Sequence, residues 1–155
     1  MLKYFTGTHD HRMDDKGRVS LPTEFRRVLD AVGSPGALYL IPGLADPHGL
    51  ACLSMPGYDK LIERFNTTEY ADPADALRDE IRLIAHASQI QVDDAGRIVI
   101  SRKLRDAFRL EKEVRFVGVA SRFELWRPDL RDVREAERLG DAPDKPVGLS
   151  LHGLH

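Results

Sequence analysis

The chain carries one sequence segment twice. Residues 14–29 read DDKGRVSLPTEFRRVL and residues 93–108 read DDAGRIVISRKLRDAF, and the two align without a gap. Weaker similarity continues downstream, where residues 38–56 correspond to residues 114–128 with a longer loop in the first copy. A unit repeated within one chain predicts a pseudo-symmetric fold whose copies share their local structure, and two copies are too few for a solenoid.

Each copy begins with a strong turn signal. Residues 14–17 (DDKG) and 93–96 (DDAG) combine aspartates, whose side chains bond to their own backbone, with a glycine that readily adopts a positive φ. The residues that follow, RVSL and RIVI, predict a strand in each copy, and the second is rich in β-branched residues. Helices then begin at Pro22-Thr23 and at Ser101, with Thr23 or Ser101 available as the N-cap.

Apolar stripes at helical spacing predict the remaining helices. Proline opens three of them, at Pro56, Pro73 and Pro128. The helix that begins at Pro73 has no counterpart in the other copy, so we expect it to join the two halves. The stripes are Phe25, Val28, Leu29 and Val32; Leu104, Ala107 and Phe108; Tyr58, Leu61, Ile62 and Phe65; Leu77, Ile81, Ile84 and Ala85; and Leu130, Val133 and Leu139.

These elements predict an α+β protein, mainly β, made of duplicated motifs flanked by helices. We expect a first repeat over residues 5–56, a helical connection over 57–86, a second repeat over 87–130, and a helix with a mobile C-terminal tail over 131–155. The apolar stripe of residues 58–65 is large for so small a protein to cover alone. We therefore expect part of it to pack against neighbouring subunits in a closed homo-oligomer.

Composition excludes several classes of protein. No apolar run approaches the roughly 18 residues of a membrane span, and the single cysteine, Cys52, cannot form an intramolecular disulfide. We expect a cytoplasmic protein. The net charge of −2 is not that of a strongly basic nucleic-acid-binding domain. The charge is uneven, however, because residues 95–105 contain four cations and no acid.

The sequence contains no catalytic motif, so we expect no enzymatic activity and no cofactor or metal. Nucleotide-binding glycine motifs and a nucleophile elbow are absent, and the DDKG turn lacks the spacing of a calcium loop. His9 and His11 lie two apart on a predicted strand, where two exposed polar residues are a better interpretation than a metal site. Cys52 and Trp126 fit packing positions rather than reactive ones.

Two Asp-x-x-x-Arg pairs, one in each copy, allow two interpretations. In the first interpretation each aspartate only holds its own turn and forms an ion pair with the arginine four residues later. In the second, Asp14 orients Arg18 and Asp93 orients Arg97 toward phosphate or a guanine edge. Further cations on the same loops and helices, among them Arg26 and Arg105, favour binding because they occur in both copies. The predicted DNA-binding residues are Arg12, Lys16, Arg18, Arg97, Arg102 and Lys103, and the predicted orienting residues are Asp14, Asp93, Gly17 and Gly96.

The segments THDHRMDDKGRVSLPTEFR and HASQIQVDDAGRIVISRKLRDAFRLEKEVRFVGVASRFELW resemble the two halves of the MraZ family, bacterial transcriptional regulators of the SpoVT-AbrB-like, swapped-hairpin group. The resemblance covers about residues 1–140. It implies a β-barrel of two interleaved repeats and no catalysis. It also implies ring-shaped homo-oligomers that act in the nucleoid. They would bind tandem direct repeats of double-stranded DNA at the promoter of the cell-division and cell-wall gene cluster, which includes the protein's own gene.

In the family the basic residues of these loops face DNA, which here implies Lys16, Arg18 and Arg97. The second copy departs from the first, since Ala95 stands at the position of Lys16 and Ser101 at that of Pro22. The two loops are therefore not expected to contact DNA equally. An antitoxin-like protein-interaction module of the AbrB group is the alternative, although the duplication and the short tail argue against it.

Overall fold

A computed structural model describes residues 3–140, so most of the predicted C-terminal tail lies outside the described residues. Eight strands occur in this part of the chain: β1 Thr8–Arg12, β2 Arg18–Ser20, β3 Ala37–Pro42, β4 Leu50–Ser54, β5 Ser88–Gln91, β6 Arg97–Val99, β7 Glu113–Val119 and β8 Arg122–Trp126. Five α-helices accompany them: α1 Thr23–Ala31, α2 Met55–Thr67, α3 Pro73–Glu80, α4 Arg102–Ala107 and α5 Pro128–Leu139. A π-helical segment, Ile81–Ala85, continues α3. The predicted α+β class is confirmed, with eight strands against five α-helices in the part of the chain described.

The order of elements repeats, as the duplicated sequence predicts. Strand, turn, strand, helix, two strands and helix occur once from β1 to α2 and again from β5 to α5. The strand before each turn pairs with a strand of the other copy, because β1 pairs with β7 and β5 pairs with β3, both antiparallel. The two copies are therefore interleaved.

The strands form two sheets. One has six strands in the order β1-β7-β8-β4-β3-β5, and the other is the antiparallel ribbon of β2 and β6. The edge strands β1 and β5 contact β2 and β6, respectively. Within residues 3–140 the hydrogen-bonded order does not return to its start, so closure into a barrel is not confirmed.

The main core lies between the large sheet, the ribbon and α1. Each ribbon strand contributes one inward residue, Val19 or Ile98, and Phe25 of α1 packs against Phe116 and Phe123 of the sheet. A single apolar cluster thus joins both copies. Its buried members are Phe5, Met13, Val19, Leu21, Phe25, Val28, Leu29, Leu38, Leu40, Leu50, Cys52, Ile98, Ile100, Phe108, Leu110, Val114, Phe116, Phe123 and Leu125.

A smaller cluster lies on the other face of β3 and β4. There Ile41, Ala51 and Leu53 pack with Leu83, and the stripe of α2 covers them. The Tyr58 hydroxyl donates a hydrogen bond to the Leu83 carbonyl at 2.7 Å, which ties α2 to the π-helical segment. The α2 stripe is partly buried within the subunit, and its predicted contact with neighbouring subunits stays a prediction.

The helix starts differ between the copies. Ser101 accepts a hydrogen bond from the Leu104 backbone at 3.3 Å, as predicted for an N-cap. The prediction of Thr23 as a cap was wrong, because Pro22 occupies the cap position of α1 without a side-chain bond and Thr23 is already helical. None of the helices described is long and apolar enough to cross a membrane.

Candidate nucleic-acid interface

The first Asp-x-x-x-Arg turn is organised by one carboxylate. Asp14 Oδ1 accepts hydrogen bonds from the backbone N–H groups of Lys16 at 3.0 Å and Arg18 at 2.9 Å, and Oδ2 accepts one from Arg18 Nε at 2.6 Å. These bonds favour the ionised carboxylate, so the pKa of Asp14 lies below its usual value, with the Arg18 backbone N–H as the largest cause.

The second turn repeats this arrangement. Asp93 Oδ1 accepts from the Arg97 backbone N–H at 2.8 Å, and Oδ2 accepts from Arg97 Nε at 3.1 Å. The Arg97 backbone bond again gives the largest lowering of the pKa of Asp93. Both interpretations of the pairs are thus compatible with the structure, because each aspartate shapes its turn and also fixes the arginine that follows.

Each turn is also held by the other copy of the repeat. The Ile100 N–H donates to the Gly17 carbonyl at 2.8 Å, and the Leu21 N–H donates to the Gly96 carbonyl at 2.9 Å. Arg105 of α4 spans both copies, with Nε donating to the Ile100 carbonyl at 3.1 Å and Nη1 to the Asp15 carbonyl at 3.2 Å. The two turns therefore form one cross-braced unit.

Gly17 and Gly96 are required by this packing. Both have left-handed φ angles, +83° and +79°, which L side chains rarely adopt. A Cβ on Gly17 would overlap the Ile100 carbonyl oxygen, and a Cβ on Gly96 would overlap the guanidinium of Arg26. The glycines predicted as orienting residues thus permit the close approach of the two copies.

The β2–β6 ribbon presents its outer face beside these turns. Val19 and Ile98 point into the core, while Arg18, Ser20, Arg97 and Val99 alternate with them and are exposed. The register places Arg18 opposite Val99 and Ser20 opposite Arg97. The outer face therefore has two arginines, one from each copy, on a diagonal.

An open groove of ≈ 330 Å³ runs along this face and collects part of the predicted site. Arg12, Arg18 and Arg97 line it, together with Asp14 and Ser20. The structure thus brings together three of the six predicted DNA-binding residues and one orienting aspartate. An open groove lined by three arginines suits a phosphate backbone.

The other three predicted cations lie outside the groove. Lys16 is exposed in the first turn, and Arg102 and Lys103 are exposed at the start of α4. Lys103 lines a separate cleft near the connection between the π-helical segment and β5. Among residues 3–140, Arg12 and these three cations form no ion pair. They can therefore bind an anion without first breaking a salt bridge to a described carboxylate.

The histidines lie on one face of β1, as predicted, but that face is half-buried rather than exposed. His9 packs its ring edge against Phe25 and lies 3.6 Å from Glu24. His11 Nδ1 lies 2.6 Å from the Ser20 carbonyl oxygen and thereby links β1 to the ribbon. In the part of the chain that the structure describes, no group of three His, Cys, Asp or Glu side chains could hold a metal ion.

The packing interpretations of Cys52 and Trp126 are confirmed. Both side chains are buried, and burial raises the pKa of the Cys52 thiol. Trp126 Nε1 donates to the buried Glu124 carboxylate at 3.0 Å, and the Arg131 guanidinium lies over the indole ring at 5.0 Å. Sequence reasoning missed this cluster, since nothing in the strand sequence RFELW indicates that Glu124 is buried or which residue is its partner.

Sequence reasoning also missed the structural role of Arg26 and Arg105. Their equivalence in the aligned copies was visible, but it was interpreted as added positive charge. The structure places each guanidinium against the turn of the opposite copy, Arg26 at Gly96 and Arg105 at Gly17. The usable signal was the pairing of a repeated arginine with a repeated glycine.

Comparison with known proteins identifies relatives of this chain. Residues 83–130 match the family model described as "MraZ protein, putative antitoxin-like". Proteins named "Transcriptional regulator MraZ" are similar over most of their length. The relative from Hydrogenovibrio crunogenus is 30% identical over 99% of both chains. That from Erwinia tasmaniensis is 34% identical over 79% of this chain and 78% of its own, and that from Neisseria gonorrhoeae is 28% identical over 91% of both. This chain belongs to the MraZ family, because its relatives are this similar over most of its length and it has the duplicated, interleaved halves with two Asp-x-x-x-Arg turns.

Proposed function

We propose that this chain is a sequence-specific DNA-binding transcriptional regulator without catalytic activity. The observation that carries the proposal is the outer face of the β2–β6 ribbon, where Arg18 and Arg97 project beside a cationic groove. A two-stranded antiparallel ribbon has the width to enter the major groove of B-DNA. The name that the relatives carry supports the same function.

The electrostatics of the site support contact with phosphate. Arg18 and Arg97 use Nε for their aspartates, and both side chains are well exposed, with 42% and 44% of their surface accessible. The remaining guanidinium N–H groups are thus free to face a ligand. Asp14 and Asp93 act as orienting groups, because a carboxylate placed against phosphate would be repelled.

A homo-oligomer would explain how a chain of net charge −2 binds DNA. Leu77, Ile81 and Ile84 are exposed in a row on α3 and the π-helical segment, and an apolar row of this kind is typical of an interface. In a ring, several subunits present their ribbons together, so that modest single contacts multiply on tandem direct repeats.

The finer features of the proposal come from the resemblance. The target is the promoter of the cell-division and cell-wall gene cluster, and the protein acts in the cytoplasm at the nucleoid. Closure of the two sheets into one barrel is part of the same proposal. It is supported by the single core that both sheets share and by the contacts of β1 with β2 and of β5 with β6.

A protein-interaction module is the second candidate, because the description of the matching family includes the word antitoxin-like. In that case the exposed row of Leu77, Ile81 and Ile84 would hold a different protein rather than another copy. Light scattering of the purified chain separates the two at micromolar concentration. The ring requires a mass several times 17.5 kDa, whereas a monomer would favour the module.

The proposed function is tested by fluorescence anisotropy with a labelled duplex from the region upstream of the chain's own gene. A duplex of the same composition in scrambled order is the control. We expect tight binding to the first, weaker binding to the second, and a log–log salt slope of about −0.9 for each phosphate contact. Equal affinity for both duplexes would contradict sequence-specific recognition.

A further inference from the structure

Val99 is an aliphatic side chain on a face that is otherwise polar. It is 54% exposed and lies in the ribbon directly opposite Arg18. The outer face of β2 and β6 has four side chains, and the other three are Arg18, Ser20 and Arg97. More than half of the surface of this aliphatic residue therefore stays exposed within the subunit.

The duplication supplies an internal comparison. Ser20 occupies the position of Val99 in the aligned first copy, and both side chains point outward from the same place in the strand. A serine is thus compatible with this backbone, so the architecture does not demand a β-branched residue at position 99. The fold therefore does not require the difference between Ser20 and Val99, and this difference is available for DNA recognition.

The two neighbouring arginines indicate which part of the DNA Val99 would contact. Asp14 and Asp93 fix Arg18 and Arg97 through Nε on either side of the ribbon. If these arginines engage the DNA backbone or a guanine edge, the ribbon lies in the major groove with Val99 and Ser20 toward the base edges. The feature of the major groove that an aliphatic side chain recognises is the C5-methyl group of thymine, whereas a serine hydroxyl bonds to either donors or acceptors.

We infer that Val99 is a specificity-determining residue that contacts a thymine methyl group, and that Ser20 contacts a polar base edge at the pseudo-symmetric position. The inference rests on the proposed DNA-binding function and deepens it. It gives each subunit a direction on the duplex, because the two ends of its ribbon differ. Directional subunits read direct repeats when neighbouring subunits share one orientation along the duplex, whereas inverted repeats require a two-fold axis between them.

The test removes the methyl group from DNA and the side chain from the protein. Each thymine of one repeat in the upstream duplex is replaced in turn by deoxyuridine, and binding is measured for the wild type, for Val99→Ala and for Val133→Ala. Val133, on α5, is the matched control because it is also a valine and is 55% exposed. Thermal melting and native mass are recorded for every variant.

We expect one thymine at which deoxyuridine weakens wild-type binding about fourfold, the effect of one buried methyl group. Val133→Ala should retain this effect, and Val99→Ala should lose it while keeping its melting temperature, its mass and its salt slope. Ser20→Val should create a new thymine preference in a selection from randomised repeats. That variant tests the same contact from the other copy.

Three results would overturn the inference. The first is a Val99→Ala protein that still discriminates every thymine from deoxyuridine as the wild type does. The second is a reduced native mass for Val99→Ala, which would assign Val99 to a subunit contact. The third is a wild type that does not prefer the upstream duplex over the scrambled one. Only this third result also contradicts the proposed DNA-binding function. Failure of the inference alone is therefore distinguishable from failure of the proposed function.

Discussion

The turns at residues 14–18 and 93–97 follow one backbone plan but have different outward side chains. Both have an aspartate that accepts from the arginine four residues later, and both have a left-handed glycine against the other copy. Yet the first turn has Lys16 where the second has Ala95. The shared glycines hold the copies together and the shared arginines make the proposed DNA contacts, whereas Lys16 and Ala95 differ and lie on exposed turns. The two copies therefore share the backbone architecture of the turn, and they differ in side chains that are available for DNA recognition.

The largest effect expected from this comparison concerns the two glycines. In Gly17→Ala the new Cβ meets a backbone carbonyl that cannot move, whereas in Gly96→Ala it meets the flexible end of Arg26. Strain at a left-handed φ and overpacking together should cost about 3 kcal/mol of unfolding free energy at Gly17 and about 1–2 kcal/mol at Gly96. Urea unfolding measures both. Gly36→Ala, in open space, is the control and should be near neutral; equal losses at positions 17 and 96 would contradict the asymmetry.

The next effect concerns the arginines that brace the turns. Arg105→Ala removes two hydrogen bonds from a charged donor to backbone carbonyls and should lower the unfolding free energy by about 1–3 kcal/mol. Arg26→Ala should cost less, because Arg26 packs against Gly96 without a hydrogen bond among the described residues. Arg27→Ala, at the exposed neighbouring position, is the control. A stable Arg105→Ala protein with a flattened salt slope would instead make Arg105 a DNA contact.

A smaller effect is expected from the aspartates, and it depends on pH. The folded state lowers the pKa of Asp14 through its bonds from Arg18. Its contribution to stability is therefore present above the ordinary value of 3.8, and it is lost as the pH falls through the folded pKa. The stability difference between the wild type and Asp14→Asn should shrink on acidification. Asp15→Asn, whose carboxylate has no partner among the described residues, is the control, and a difference that grows toward low pH would contradict the turn role.

Much of the fold was readable from the sequence because the interactions involved are local. Turn residues, helix stripes and the prolines at the starts of α2, α3 and α5 act within a few positions, and the repeat doubled most of these signals. The pairing of β1 with β7 and the bonds of Arg105 to the first turn join residues about a hundred positions apart, and no local pattern encodes them. The apolar row of Leu77, Ile81 and Ile84 was visible as a stripe, but periodicity does not indicate whether a face is covered.

The candidate site was predictable to the same degree. Asp14, Arg18 and their counterparts could be found because two copies repeat them at one spacing. That Arg12 joins Arg18 and Arg97 in one groove, while Lys103 lies in another cleft, depends on the interleaving of strands. Val99 gave no signal, since a valine in a predicted strand is ordinary until its exposure is known.

The central claim, that the copies share architecture and differ in recognition, is tested most directly by exchanging Lys16 and Ala95. Salt titrations of binding to the upstream duplex are run for the wild type, Lys16→Ala and Ala95→Lys. We expect Lys16→Ala to flatten the log–log slope by about 0.9 for each engaged subunit and Ala95→Lys to steepen it by up to the same amount, with melting temperatures unchanged. Unchanged slopes in both variants, or melting temperatures that fall with the exchange, would contradict the claim.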